Sequence, residues 1–115
     1  MPFLTTGKSG TALLWTGSYA IPNGIEIGSG SGAKTASTTA LVAPLLFRTF
    51  TSTDVSTPRM VTFTADFTST QMSGINLREF AVKASGGALW SAEGFPAVTF
   101  DGSNELQIQV TWEVF

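Results

Sequence analysis

The stretch N-E-L-Q-I-Q-V-T-W-E-V-F, Asn104 to Phe115, decides how this chain is read. Leu106, Ile108, Val110, Trp112 and Val114 take every second position, and Glu105, Gln107, Gln109, Thr111 and Glu113 fill the positions between. Successive side chains of an extended strand point to opposite sides, so this pattern describes a strand with one apolar and one polar face. A helical period does not produce it. So long a strand in a short chain is expected to be the spine of the main sheet.

Working back from that strand, Asp101-Gly102-Ser103 is turn chemistry. Before it come Ala97 to Phe100, an interruption at Gly94 and Pro96, and Ala88 to Ser91. Ser85-Gly86-Gly87 reads as a hairpin. Ile75 to Ala84 reads as a strand with Arg78, Phe80 and Val82 on one face and Leu77, Glu79 and Ala81 on the other, so each face carries a charge. Ser73-Gly74 turns the chain, and Met60 to Phe67 alternates with Val61, Phe63, Ala65 and Phe67 on the apolar side. Short strands separated by polar turns predict an all-β, mainly antiparallel fold, a β-sandwich or open barrel.

The N-terminal half is less regular. Thr5 and Thr6 can cap a short helix through Lys8, Ala12, Leu13, Leu14 and Trp15, which Gly7 and Gly10 weaken. Tyr19 to Ile21 and Ile25 to Ile27 read as short strands set off by Thr16-Gly17-Ser18 and Pro22-Asn23-Gly24. Gly28 to Thr39 has no apolar period and reads as a flexible Gly/Ser/Thr loop. A helical turn is expected before Pro44, then an extended run from Leu45 to Phe50 that carries Arg48. The whole chain, 1–115, is expected to be a single β domain with one or two short helical segments.

Composition narrows the function. Charged residues make up 12% of the 115 residues, against about 25% in ordinary domains. The surface must therefore be covered by Thr, Ser, Gln and Gly, which suits permanent assembly or, more simply, a Thr-rich β domain. Net charge is −2, and the basic residues scatter from Lys8 to Lys83, which argues against nucleic acid as a partner. Ala40 to Phe47, the longest apolar run, is too short to cross a bilayer and contains Pro44. No secretory signal stands at the N-terminus, and synthesis and use in a cytoplasm are expected.

Little chemistry is encoded. With no cysteine and no histidine, thiolate sites and any Ser-His-Asp arrangement are excluded. Glu79, Glu93, Asp101 and Glu105 are the candidates for a glycosidase pair, but their spacing brings no two together. Asp101 to Glu105 lacks the alternating acids of a calcium loop. Gly28-x4-Ala33-Lys34-Thr35 is one substitution away from a phosphate-binding loop, yet no helical pattern follows it. Gly7-Lys8-Ser9 fails sooner, because Pro2 stands where the first glycine belongs. No enzyme activity, cofactor or metal is expected.

Glu79 and Arg48 are the candidates for interior charges. A buried charge is costly unless paired, so a Glu79–Arg48 ion pair across the sheet is expected to hold Leu45 to Phe50 in register, unless both are rim charges. Trp15, Tyr19, Trp90, Phe95 and Phe115 are candidate interface residues. Trp15, Tyr19, Trp90 and Trp112 would instead stack on sugar rings if the chain were a carbohydrate-binding module, although aromatics more commonly fill β cores.

Several segments carry a resemblance. I-E-I-G-S-G at Ile25 to Gly30, T-A-L-V at Thr39 to Val42, Arg48, V-T-F-T-A-D-F at Val61 to Phe67 and N-L-R-E-F-A at Asn76 to Ala81 resemble virion proteins of tailed bacteriophages. The order is similar to the N-terminal domain of tail-collar fibre proteins, where an I-G-x-G segment precedes an L-R-E-I-G-L strand and a turn into an aromatic strand. F-D-G-S-N-E-L-Q-I at Phe100 to Ile108 is similar to the end of small stand-alone phage structural proteins. A fibre would continue into a shaft and receptor-binding tip, whereas this sequence stops at Phe115. Joined to the length, the resemblance implies a small structural protein of a phage particle, and the expected role is a capsid decoration or cement protein, trimeric and seated where major capsid subunits of a virion meet, after synthesis in the host cytoplasm. A tail, collar or fibre-anchoring component, with tail proteins as partners, is the alternative.

Overall fold

The computed structural model describes residues 22–57, 60–84 and 89–113. In order these form β1 (Gly24–Gly28), β2 (Pro44–Thr49), β3 (Ser52–Thr57), β4 (Met60–Phe67), α1 (Ser69–Met72), β5 (Asn76–Lys83), β6 (Leu89–Thr99) and β7 (Leu106–Glu113). One sheet has the order β2-β1-β5-β6 and the other β3-β4-β7, and every pairing is antiparallel. Ile25 and Ile27 of β1, Leu77 and Val82 of β5, Ala65 and Phe67 of β4, and Ile108 and Val110 of β7 meet in one core. The two sheets thus face each other across shared apolar side chains, as the sequence predicts for an all-β sandwich. Each fully buried Ile, Val or Phe contributes about 1.5–3 kcal/mol. No helix among the described residues is long and apolar enough to cross a membrane.

The alternation of the terminal strand is realised: Ile108 and Val110 are buried, while Gln107, Gln109 and Thr111 are exposed. Its position is not the expected one. Among the described residues β7 pairs with β4 alone, from Leu106 against Phe67 to Glu113 against Met60, at the margin of the smaller sheet. The central places belong to β1, β5 and β4. Alternation reports which face is buried and carries no information about how many neighbours a strand has.

Two elements lie outside the sequence reading. Ser52–Thr57 is a polar strand at the other margin of the smaller sheet, with no apolar alternation to announce it. The helix α1 is a single turn closed by a capping box, in which Thr68 Oγ1 accepts from Gln71 N at 3.2 Å and Thr68 N donates to Gln71 Oε1 at 2.9 Å. It buries Met72 in the core and is too short to show a period.

The interruption at Gly94 and Pro96 is not a break. β6 runs through both, because Leu77 faces Val98 while Glu79 faces Gly94, so Phe95, Pro96 and Ala97 stand opposite Arg78 alone. Such a bulge accommodates a proline that a regular ladder would reject. The expected helical turn before Pro44 is absent; the chain bends there and enters β2 directly. The predicted helix from Thr5 to Trp15, the strand from Tyr19 to Ile21 and the turn at Ser85 to Gly87 lie outside the described residues.

Because Phe67 is buried and Gln109 exposed, Phe67→Ala lowers stability by about 3–5 kcal/mol, whereas Gln109→Ala changes it by less than about 0.5 kcal/mol. Urea unfolding of the two variants measures both.

Candidate functional site

Sheet β2-β1-β5-β6 has a second face, turned away from the core. Pairing of Gly28 with Glu79, Glu26 with Ala81, Glu79 with Gly94 and Ala81 with Ala92 sets these residues on it side by side. Glu79 is fully buried there. The segment from Ser29 to Ala43, which has no helix or strand, folds back over the carboxylate and covers it.

Each carboxylate oxygen has two donors. Oε1 accepts from Lys34 Nζ at 2.6 Å and from Val42 N at 2.9 Å. Oε2 accepts from Ala43 N at 2.8 Å and from Gly30 N at 3.0 Å. The Lys34 side chain is itself 3% exposed. Glycine is needed where the chain approaches: a Cβ on Gly28 would lie 2.5 Å from Glu79 Oε2, and one on Gly30 would lie 2.7 Å from it. Ser29 N donates to Ala43 O at 3.0 Å and closes the loop at its base. Leu41 packs beside the clamp on Ala81, Leu89 and Ala92. On the same face Lys83 Nζ sits 3.4 Å from Glu26 Oε2.

Burial alone would raise the Glu79 carboxyl. The Lys34 ammonium and the amides of Ala43, Val42 and Gly30 outweigh it and hold the group below the usual carboxylate range. A carboxylate with four donors is occupied as an anchor, and its lone pairs do not face an open cleft.

The expected partner was Arg48, and the structure assigns Glu79 to Lys34 instead. Arg48 pairs in register with Ile25, on the face of β2 opposite to the one that neighbours Glu79, and it is half-buried. Its charge acts on Asp66, whose carboxylate accepts from Gln107 Nε2 at 2.9 Å and Thr51 Oγ1 at 2.8 Å. Those two hydrogen bonds, with Arg48 adding to them, hold Asp66 below its ordinary range. Sequence reasoning overlooked Lys34 because it looked for a partner on a neighbouring strand. The usable signal was the glycines at 28, 30 and 32, which leave backbone bare just before a lone lysine.

The same geometry answers the phosphate-loop look-alike. Lys34 is held by Glu79, and the chain after it runs to β2 without a helix. Within Gly28 to Thr39, the stretch read as a flexible loop, Gly30 and Lys34 are bound to Glu79, and Val42 and Ala43 just beyond it bind the same carboxylate. Asp101 accepts from Ser103 N at 3.0 Å and from Ser103 Oγ at 2.5 Å, an arrangement internal to its turn. The described residues hold no group of three or more acidic side chains placed to share a metal ion.

Of the candidate interface aromatics, Trp90 is buried and stacks on Trp112 with ring centroids 6.0 Å apart. It offers no open ring to a partner or a sugar. Phe95 is half-buried against the core and lies 6.0 Å from the Phe80 ring. Trp15, Tyr19 and Phe115 lie outside the described residues. Among the described residues the exposed large apolar side chains are aliphatic: Val42, Leu45, Val55 and Val98.

Compared with protein families, with characterised proteins and with solved structures, the chain finds no match.

Removing one partner of a buried pair leaves the other uncompensated, so Glu79→Ala costs about 3–5 kcal/mol. Arg48→Ala costs clearly less, and thermal unfolding ranks the two. The folded pKa of Glu79 lies below its unfolded value, so its stabilisation is complete above the ordinary glutamate pKa of about 4.3. That contribution is lost as pH falls through the folded value. A carbon-detected NMR titration of the Glu79 carboxyl is expected to show a midpoint under the ordinary one.

Proposed function

We propose that this chain is a structural protein of a tailed-phage virion, specifically one that decorates the capsid and cements major capsid subunits. The observation that carries the reading is a composition poor in charge, 12% charged residues, on a two-sheet body with one shared core. The outward positions of β4 and β7 present Thr62, Gln107, Gln109 and Thr111, several of them already paired. Thr62 and Thr111 share a hydrogen bond of 2.9 Å, and Gln107 is held on Asp66. Side chains fixed before docking lose little entropy when a partner covers them. Exposed Val42, Leu45, Val55 and Val98 add apolar area at the margins of both sheets.

The resemblance of the Ile25 to Gly30, Asn76 to Ala81 and Phe100 to Ile108 segments to phage virion proteins points the same way. Glu79 supports that parallel physically, since I-G-S-G and L-R-E are the two segments it joins. In this role the protein works by burying surface across several subunits at once, and many weak contacts resist expansion of the shell.

Mass-spectrometric copy number in purified particles tests the proposal. Copies comparable to the major capsid subunit, together with a higher melting temperature of shells to which the protein is added, are the expected result. A few copies per particle would place the protein on the tail or collar instead. Absence from purified particles would overturn both.

A further inference from the structure

The Glu79 carboxylate holds both ends of the Ser29–Ala43 segment and its middle: Gly30 near the start, Lys34 along the way, Val42 and Ala43 at the end. From Ser31 to Ala40 this segment is otherwise largely exposed, the exceptions being Lys34, whose side chain is buried, and half-buried Thr38. Beneath it lies a floor of small or apolar residues on β5 and β6, Ala81, Ala92 and Leu89, capped by Leu41. The fit is close, since a Cβ on Gly94 would overlap the Gly32 carbonyl. The floor strands are held independently, because β1, β5 and β6 keep their ladders and their other face is packed in the core.

We propose that Ser29–Ala43 is a strap latched by the single carboxylate of Glu79, which lifts as one unit while the sandwich beneath stays folded, uncovering the Ala81–Leu89–Ala92 floor. Four donors converge on one acceptor group, so losing that group releases all of them together rather than one by one. Lifting exposes the Lys34 side chain and the apolar floor in the same event. The strap does not depend on where the protein is used, and it holds equally for a domain outside any virion.

Native-state hydrogen exchange on the full chain, read by NMR, tests this. The amides of Gly30, Val42 and Ala43 are expected to share one protection factor, about tenfold or more below those of Ile25, Ile27, Phe80 and Val82. Glu79→Gln is expected to lower the strap's protection further and to open trypsin cleavage after Lys34, with β1 and β5 protection retained. Lys34→Met serves as the second variant, lowering strap protection by a smaller factor because the three amides still bind. Equal protection of strap and β1–β5 amides in the unsubstituted protein would overturn the proposal, as would three unrelated values. So would a Glu79→Gln protein that loses protection everywhere at once.

Discussion

One buried carboxylate organises the outer half of this molecule. Glu79 sits in the middle of β5, a central strand, on the face that the other sheet does not cover. An ion left alone there would be strongly disfavoured. Lys34 balances its charge, and three backbone amides fill the remaining acceptor positions. To deliver those amides, the chain between β1 and β2 must double back over the sheet. The conformation of a segment with no helix and no strand, whose large apolar residues are Leu41 and Val42 at its end, is thereby fixed from outside itself. Gly28 and Gly30 follow from the same requirement, since any side chain at either position would occupy the space of the carboxylate.

The central sheet is consequently covered on both sides by different means. Toward β4 and β7 it is closed by Ile25, Ile27, Val82 and their partners, an apolar contact with no directional demands. On the other side the cover is mostly polar and strongly directional, supplemented by Leu41 on Ala81, Leu89 and Ala92. The sandwich is tied at its far end by rings: Phe50 on Phe63, Phe63 edge-on to Trp112, and Trp112 on Trp90. That row links both sheets and explains why Trp90 and Trp112 serve the interior rather than a docking surface.

Much of this was legible in the sequence wherever one face of a strand is buried and the other is not. Met60 to Phe67 and Leu106 to Glu113 alternate cleanly and emerge as strands, and Asn76–Lys83 lies within the stretch read as one. Ser52–Thr57 was illegible because a marginal strand buries little and need not alternate. The continuity of β6 was illegible because Gly94 and Pro96 signal an interruption locally, while the bulge that absorbs them is a property of its pairing with β5. For the site, the chemistry was readable and the partner was not. That Glu79 needs a counter-charge follows from its place among apolar neighbours; that Lys34 supplies it depends on the path of a loop, which no periodicity records.

The clamp reads its loop through main-chain N–H groups at 30, 42 and 43, and through a side chain only at Lys34. Recognition through the main chain leaves the side chains at 42 and 43 unread, whereas at Gly30 the close approach of the carboxylate excludes any side chain. Val42, which points outward beside two of those amides, can be exchanged for almost any side chain without disturbing the clamp, and so can exposed Ala36, Thr39 and Ala40 on the crest. The fold thus separates a constant grip from a variable display, which lets a lineage alter what this edge of the molecule presents to its surroundings while the scaffold beneath stays the same.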